Sequence, residues 1–213
     1  MSRKFGLMAV YLFIFVLAVY LAYDFLLFES SSMNSFLEAY LGNFQTYLYV
    51  FTLLLIPIIL FHHVNYLKAE YLSRIKPSLL KYIIKKSIFN SLQTTFVFYF
   101  SFISGAVILR LHFDVSILIL LLFIQLFIFI LACFLLYHAI YLLTFKPMLG
   151  LFCIIFTNFS FSVSGFAFGF LFISDDDVFY EIYYYASMIY IVFILITSLI
   201  SLALTVKKKE CYT

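Results

Sequence analysis

Long apolar runs separated by short polar segments recur along the whole chain of 213 residues. Six of these runs are long enough to cross the roughly 30 Å of bilayer hydrocarbon as α-helices. The six predicted spans are Phe5–Phe28, Phe44–Phe61, Ile88–Leu109, Val115–Leu143, Met148–Ile173 and Ala186–Val206. The pattern therefore predicts an all-α fold, in which residues 1–213 form a single six-helix transmembrane domain.

The composition agrees with an apolar environment. Hydrophobic residues make up 66% of the chain and charged residues only 11%, whereas a water-soluble domain has about a quarter charged residues. This excludes the class of soluble globular proteins and predicts a lipid bilayer as the surroundings. The preference for Phe, Tyr, Ile, Leu and Lys suits an AT-rich genome, such as that of a low-GC bacterium.

Charged residues are distributed unequally between the two sides of the predicted spans. If the N-terminus is cytoplasmic, twelve of the thirteen Lys and Arg residues lie on the cytoplasmic side, and only Arg110 lies outside. Eight of the ten acidic residues then lie on the outer side. Because loops rich in Lys and Arg stay in the cytoplasm, the sequence predicts a multi-pass protein of the cell membrane with both termini inside.

Ionisable and amide side chains are rare inside the predicted spans, and each is therefore a candidate functional residue. Gln125 and His138 both lie in the fourth span. No acidic residue lies near His138 in the sequence. The preferred interpretation of His138 is a hydrogen-bonding residue between helices, and a proton relay is the alternative.

The fifth predicted span is the most polar of the six. Its segment TNFSFSVSGFAFG carries polar and small residues at spacings of four, three and four, which places them on one helix face. These residues are Asn158, Ser162, Gly165 and Gly169. Compatible residues in the third span are Thr94, Ser101 and Gly105. Small residues let helix backbones approach closely, so tight helix packing is the preferred interpretation, with a translocation path or dimer seam as the alternative.

Motifs of membrane enzymes and metal sites are missing from the sequence. There is no HExxH, GxSxG or Walker lysine loop, and the three cysteines form no CxxC pair. His62 and His63 are adjacent and do not share a helix face, while Asp175–Asp177 is interpreted as a solvated acidic loop. The sequence therefore predicts a non-catalytic chain that itself binds no metal, cofactor or nucleic acid.

The loop between the second and third spans, residues 62–87, is strongly basic. Its segment LKAEYLSRIKPSLLKYIIKK holds six of the thirteen Lys and Arg residues. Helical phasing separates an apolar face, Leu72, Ile75, Leu79 and Ile83, from a polar face, Arg74, Ser78, Lys81 and Lys85. Pro77 predicts a bend between two helical pieces, one from about Val64 to Arg74 and one that starts near Pro77 and leads into the third span. Such a segment can rest on anionic lipid, or it can act as a lever that docks to a cytoplasmic partner.

The run AEYLSRIKPSLLKYIIKKSIFNSL, Ala69 to Leu92, resembles the coupling-helix region of permease subunits of type-2 ATP-binding-cassette exporters. The likeness is to the small bacterial permeases of bacteriocin, lantibiotic and peptide export or immunity systems. It implies six spans, a separate ATPase subunit that holds ATP and Mg, and a second permease copy, identical or related. It also implies that Glu70, Arg74, Lys76 and Lys81 lie at or near the ATPase contact, and that a hydrophobic or amphipathic cargo moves outward. Such a cargo is a peptide, a bacteriocin or a lipid-like molecule.

Two other function classes stay open at this point. One is an ATP-independent membrane immunity or accessory protein that binds a toxin or a partner protein. The other is the substrate-binding membrane subunit of a vitamin importer, although the first and third spans show no alanine-rich coupling face. An intramembrane enzyme ranks last, and an ATPase gene beside this one would favour the exporter.

Overall fold

The computed structural model describes residue 6 and residues 8–16, 52–62, 79–108, 117–172 and 176–210. Apart from Phe145 and Lys146, all of these residues are helical. The described helices are α1 at 8–16, α2 at Thr52–His62, α3 at Leu79–Ile108, α4 at Ile117–Thr144, α5 at Pro147–Phe172 and α6 at Asp176–Glu210. The predicted all-α class is confirmed for this part of the chain.

Two helices begin earlier than the apolar pattern predicts. The third predicted span starts at Ile88, whereas α3 begins at Leu79 and includes the last part of the basic segment, as predicted for the helical piece that starts near Pro77. The sixth predicted span starts at Ala186, but α6 begins at Asp176. Asp176 and Asp177 are therefore not a loop, as predicted, but the first turn of a helix. Acidic residues are favoured in the first turn of a helix, near the positive end of the helix dipole.

Two stretches are long and apolar enough to cross a membrane, judged by length and composition. They are Leu120–Thr144 in α4 and Tyr185–Lys207 in α6. Thr52–His62 and Pro147–Val163 are apolar but shorter. The prediction of six spans with both termini in the cytoplasm stays a prediction.

Helix α4 lies at the centre of the bundle. It packs most extensively against α6 and also contacts α3 and α5. One apolar cluster contains residues of all six described helices, and its members include Ile14, Leu55, Phe98, Phe134, Leu151 and Ile191. A second cluster joins α4 to α3 and α6, with Ile83, Leu135, Ala139, Leu142, Leu202 and Val206.

The turn between α4 and α5 is tight and holds the two helices close together. The N–H of Phe145 donates to the carbonyl oxygen of Tyr141 at 2.7 Å, and Phe145 has a positive φ of 55°. This is the left-handed termination common at helix C-termini. Pro147 then begins α5, as predicted for a first-turn proline.

Candidate functional site: a polar helix face inside the bundle

From Ser87 onward, helix α3 buries most of its polar side chains, with Gln93 as an exposed exception, and exposes most of its large apolar ones. Its buried polar residues are Ser87, Asn90, Ser91, Thr94, Thr95 and Ser101. Its exposed large side chains are Ile88, Phe89, Leu92, Phe96, Phe100, Val107 and Ile108. A surface helix of a water-soluble protein has the opposite arrangement, with its apolar stripe facing the core. In α3 this arrangement is largely reversed.

Two hydroxyls on this face are satisfied by the helix itself. Thr94 Oγ1 donates to the Asn90 carbonyl oxygen at 2.8 Å. Ser101 Oγ donates to the Val97 carbonyl oxygen at 2.7 Å. Such i to i−4 bonds are the usual way in which Ser and Thr are accommodated inside a helix. These two side chains therefore need no other partner.

The remaining polar groups of the same face are not satisfied. Within the described ranges, the hydroxyls of Ser87, Ser91 and Thr95 and both amide atoms of Asn90 are buried without a hydrogen-bond partner. Asn90 is only 1% exposed. Leaving a buried polar group unpaired costs about 1–3 kcal/mol. This group of four residues, called the α3 polar face below, therefore needs water or a bound molecule to satisfy it.

Gln125 of the central helix α4 is another buried polar residue with unsatisfied hydrogen-bonding groups. It is 0% exposed, and neither amide atom has a hydrogen-bond partner in the described part of the chain. The sequence marked Gln125 as a candidate because an amide in an apolar helix is rare. Its burial without a partner is consistent with a polar interior in the bundle.

Asn158 lies at a junction of four helices. Its side-chain nitrogen Nδ2 donates to Thr52 Oγ1 of α2 at 2.9 Å and approaches Cys133 Sγ of α4 at 3.7 Å. The Tyr190 hydroxyl of α6 donates to Asn158 Oδ1 at 2.9 Å. Phe161 stacks on the Tyr190 ring, with 3.7 Å between the centroids. These contacts favour the helix-packing interpretation of Asn158.

The other predicted seam residues lie in α4 and α5. Ser162 is half-buried in α5, and Gly165 and Gly169 lie within the helical part of α5. The surroundings of both glycines lie outside the described side chains. His138 is buried beside the rings of Tyr137 and Phe134, at centroid distances of 5.4 and 6.4 Å. A role of these residues in a translocation path stays a prediction.

The basic segment is described only in its last part. Glu70, Arg74 and Lys76 lie outside the described residues. The next part has the predicted faces, because Lys81 is exposed and Ile83 is buried against α4 and α6. Lys86 Nζ lies 5.6 Å from the ring centroid of Phe89, a cation–π contact. An exposed basic side and a buried apolar side thus occur on the same helical turns.

Metal-ligating side chains do not gather in the described ranges, where no group of three or more His, Cys, Asp or Glu residues could hold an ion. His62 ends α2, packed against the ring of Phe134 at 5.8 Å. No hydrogen-bond partner of its Nε2 lies among the described residues. Burial, together with the nearby Lys86 ammonium, lowers the pKa of His62 to about 4. His62 is therefore a neutral, packed side chain at neutral pH.

Three residues of the Asn158 junction were missed from the sequence. Thr52, Cys133 and Tyr190 are common residues in apolar helices, and nothing in their spacing marks them as partners. The α3 polar face, in contrast, can be recognised from the sequence pattern. Polar residues recur every three or four positions along α3, the period of one helix face.

Comparison of the chain with protein-family models, with curated proteins and with solved structures finds no match. The likeness of Ala69–Leu92 to exporter permeases therefore stays a prediction. Function is inferred from the inverted polarity of α3 and from the distribution of charge along the chain.

Proposed function

We propose that this chain is the membrane-spanning permease subunit of an ATP-binding-cassette exporter in the cell membrane of a bacterium. It moves a hydrophobic or amphipathic cargo outward, while a separate ATPase subunit hydrolyses ATP. The observation that carries the proposal is the polar, buried side of α3 behind an apolar, exposed side. A path for cargo through a bilayer needs this distribution of side chains, with lipid outside and hydrogen-bonding groups inside.

The exposed surface of α6 supports a position in the bilayer. Its large outward side chains include Tyr185, Ile189, Phe193, Ile196, Ile200 and Leu204. An apolar surface that extends along a whole helix marks an interaction site or a membrane surface. Ser187 and Ser198 are fully buried on the same helix. Lipid accounts for both observations, because it covers the apolar side and leaves polar groups to the interior.

The continuity of α3 supports the lever interpretation of the basic segment. Lys81 and Lys85 are exposed near its start, and Asn90 is buried in the same uninterrupted helix. Ile83 fixes this end of α3 between α4 and α6. A push on the basic loop is therefore transmitted along a rigid helix to the α3 polar face. A loop that only rested on anionic lipid would not require this continuity.

The test is reconstitution with a candidate ATPase subunit. The two proteins are co-expressed and purified in detergent, and complex formation and ATP hydrolysis are measured. We expect Glu70→Gln with Arg74→Ala to weaken the complex at least about tenfold, equivalent to ~1.4 kcal/mol. We expect Lys81→Ala to lower ATP hydrolysis in complexes that still form.

Lys207→Ala is the matched control, since Lys207 is also an exposed lysine on the predicted cytoplasmic side but lies outside the basic segment. It is expected to behave as the wild type. Unchanged assembly and ATP hydrolysis in the Glu70, Arg74 and Lys81 variants would refute the coupling role. If the chain binds no ATPase but binds a toxin or another protein, the accessory-protein alternative is favoured.

A further inference from the structure

We propose that the α3 polar face, Ser87, Asn90, Ser91 and Thr95, is an intramembrane binding site for uncharged hydrogen-bonding groups. Its guests are the amide or hydroxyl groups of a transported molecule, and water takes their place when no cargo is bound. This inference deepens the proposed function. It rests on the bilayer location of the bundle but not on the docking of an ATPase.

The first observation is the arrangement of the four side chains. They follow one another at spacings of three, one and four residues, so they share one side of α3. From Ser87 to Thr95 they cover about 12 Å along the helix axis. This is enough length for several hydrogen bonds to one extended guest. Ile83, one turn before Ser87 on the same side, packs among residues of α4 and α6, so the α3 polar face begins at the junction of three helices.

The second observation is independent of the spacing. Asn90 is almost completely buried, yet in the described part of the chain both its Oδ1 and its Nδ2 lack hydrogen-bond partners. An amide offers one acceptor oxygen and two donor hydrogens. The hydroxyls of Ser87, Ser91 and Thr95 can each donate and accept. The face is therefore complementary to groups that also do both, such as peptide amides, hydroxyls and water.

The chemistry of the site excludes charged guests. Among the buried polar side chains that the structure describes, none belongs to Asp, Glu, Lys or Arg. A buried ion needs an opposite charge or many aligned dipoles to offset its desolvation. The four side chains of the α3 polar face are all uncharged, and the described ranges hold no metal-ligand cluster. It therefore selects uncharged polar groups.

Phe98 lies at the C-terminal end of the α3 polar face. It is fully buried, lies one turn beyond Thr94 on the same side of α3, and packs in the larger apolar cluster. Ser101, one turn further, already has its own bond to the Val97 carbonyl. The unsatisfied groups are thus confined to the part of α3 nearer the basic segment. Cargo would enter from that side.

The experiment measures water access and protection at single cysteines. The full chain, with Cys133, Cys153 and Cys211 replaced by Ala, is placed in lipid nanodiscs. Cysteines are introduced at Ser91 and Thr95, and at their neighbours Leu92 and Phe96, which are exposed on the apolar side of α3. The reagent is 2-hydroxyethyl methanethiosulfonate, which is small and uncharged and reacts with thiolates. Thiolates form readily in water and poorly in hydrocarbon.

We expect the Ser91→Cys and Thr95→Cys proteins to react at least about tenfold faster than Leu92→Cys and Phe96→Cys. N-acetylglycinamide, an uncharged amide, should slow the reaction at Ser91→Cys and Thr95→Cys. Acetate and methylammonium at the same concentration should not. Asn90→Leu, in the Thr95→Cys background, should abolish the protection by N-acetylglycinamide. Thr94→Val should preserve it, because the Thr94 hydroxyl is already bonded to its own helix.

Each negative result of this experiment contradicts a different part of the proposal. Slow reaction at all four positions would overturn the binding site and leave the bilayer location intact. Fast reaction at all four would overturn the bilayer location itself. Fast reaction at Ser91→Cys and Thr95→Cys without protection by the amide would show a water path only and would overturn the binding of a guest. ATP hydrolysis by a partner subunit enters none of these readouts.

Discussion

The Tyr190 hydroxyl donates a hydrogen bond of 2.9 Å to Oδ1 of Asn158, which joins the last helix of the chain to α5. The Asn158 side-chain nitrogen donates a second hydrogen bond of 2.9 Å to the Thr52 hydroxyl of α2. Asn158 is only 2% exposed, so water does not compete for these atoms. A single amide therefore fixes the relative positions of three helices that are far apart in sequence.

Asn158→Leu is expected to destabilise the bundle by about 1–3 kcal/mol, because it removes the hydrogen bonds of Asn158 with the Thr52 hydroxyl and with the half-buried Tyr190 hydroxyl. Tyr190→Phe removes one bond and should cost about 0.5–1.5 kcal/mol. The measurement is the free energy of unfolding in mixed detergent micelles. Thr197→Val is the control, since the Thr197 hydroxyl bonds only to carbonyls of its own helix. Equal stabilities of Asn158→Leu and Thr197→Val would contradict the role of the junction.

Gly150→Ala should destabilise the protein although alanine is the better helix former. A Cβ at this position would lie 2.8 Å from Cδ2 and 3.2 Å from the backbone oxygen of Tyr137. The Tyr137 ring is fully buried, so a shift of the ring would disturb the packing around it. Overpacking costs typically about 1–3 kcal/mol, more than the ~1 kcal/mol gained in helix propensity.

Gly6→Ala is the matched control for this prediction. Nothing in the described part of the chain lies within 4 Å of a Cβ at Gly6, which is also in a helical segment. This variant should keep or raise the melting temperature. A melting temperature of Gly150→Ala at or above that of Gly6→Ala would show that α4 and α5 are not in close contact at Tyr137.

The positions of α4 and α5 could be predicted from the sequence to within two residues. The predicted fourth span, Val115–Leu143, corresponds to Ile117–Thr144, and Met148–Ile173 corresponds to Pro147–Phe172. Both runs have abrupt polar or proline boundaries, which the apolar pattern detects. The start of α3 at Leu79 agrees with the predicted second helical piece, which begins near Pro77, carries lysines and leads into the third span. These lysines lie on the exposed side of a helix that continues past the apolar run.

The partners of Asn158 could not be predicted, although Asn158 itself was recognised as a residue between helices. Thr52 is 106 residues away in sequence, and hydropathy does not tell which helices are neighbours. None of the four residues of the α3 polar face was predicted, since only Thr94 and Ser101 were recognised among the polar residues of this helix. These two residues satisfy their own hydroxyls. The unsatisfied groups are found only when burial and hydrogen bonds are known for each atom.

Phe145→Gly should stabilise the turn between α4 and α5. A left-handed conformation costs a non-glycine residue roughly 1–2 kcal/mol, and φ is 55° at Phe145. The Phe145 ring is 60% exposed, so little packing is lost with it. We expect a higher melting temperature for Phe145→Gly, whereas the β-branched Phe145→Val should lower it. The reverse order would mean that the edge contact of the ring with Tyr141 outweighs the backbone strain.

The stability of the protein should fall as the pH is lowered from about 6.5 to 4, in part because of His62. Its pKa is lowered to about 4 in the folded chain, by burial first and by the Lys86 ammonium second, whereas an unperturbed histidine has a pKa of about 6.5. Neutral His62 therefore makes its full contribution to the free energy of unfolding above about pH 6.5. That contribution is lost as the pH falls, because the unfolded chain then binds a proton at this histidine and the folded chain does not.

His62→Phe isolates this effect, because a phenyl ring can occupy the same place beside Phe134 and cannot be protonated. The melting temperatures of wild type and His62→Phe should differ least at pH 7 to 8. Between pH 6.5 and 4 the wild type should lose more stability than the variant. Lys86→Gln removes the nearby positive charge, which raises the pKa of His62 and should make the acid-induced loss smaller. Parallel pH profiles for the wild type and His62→Phe would show that His62 titrates normally and is not buried at the end of α2.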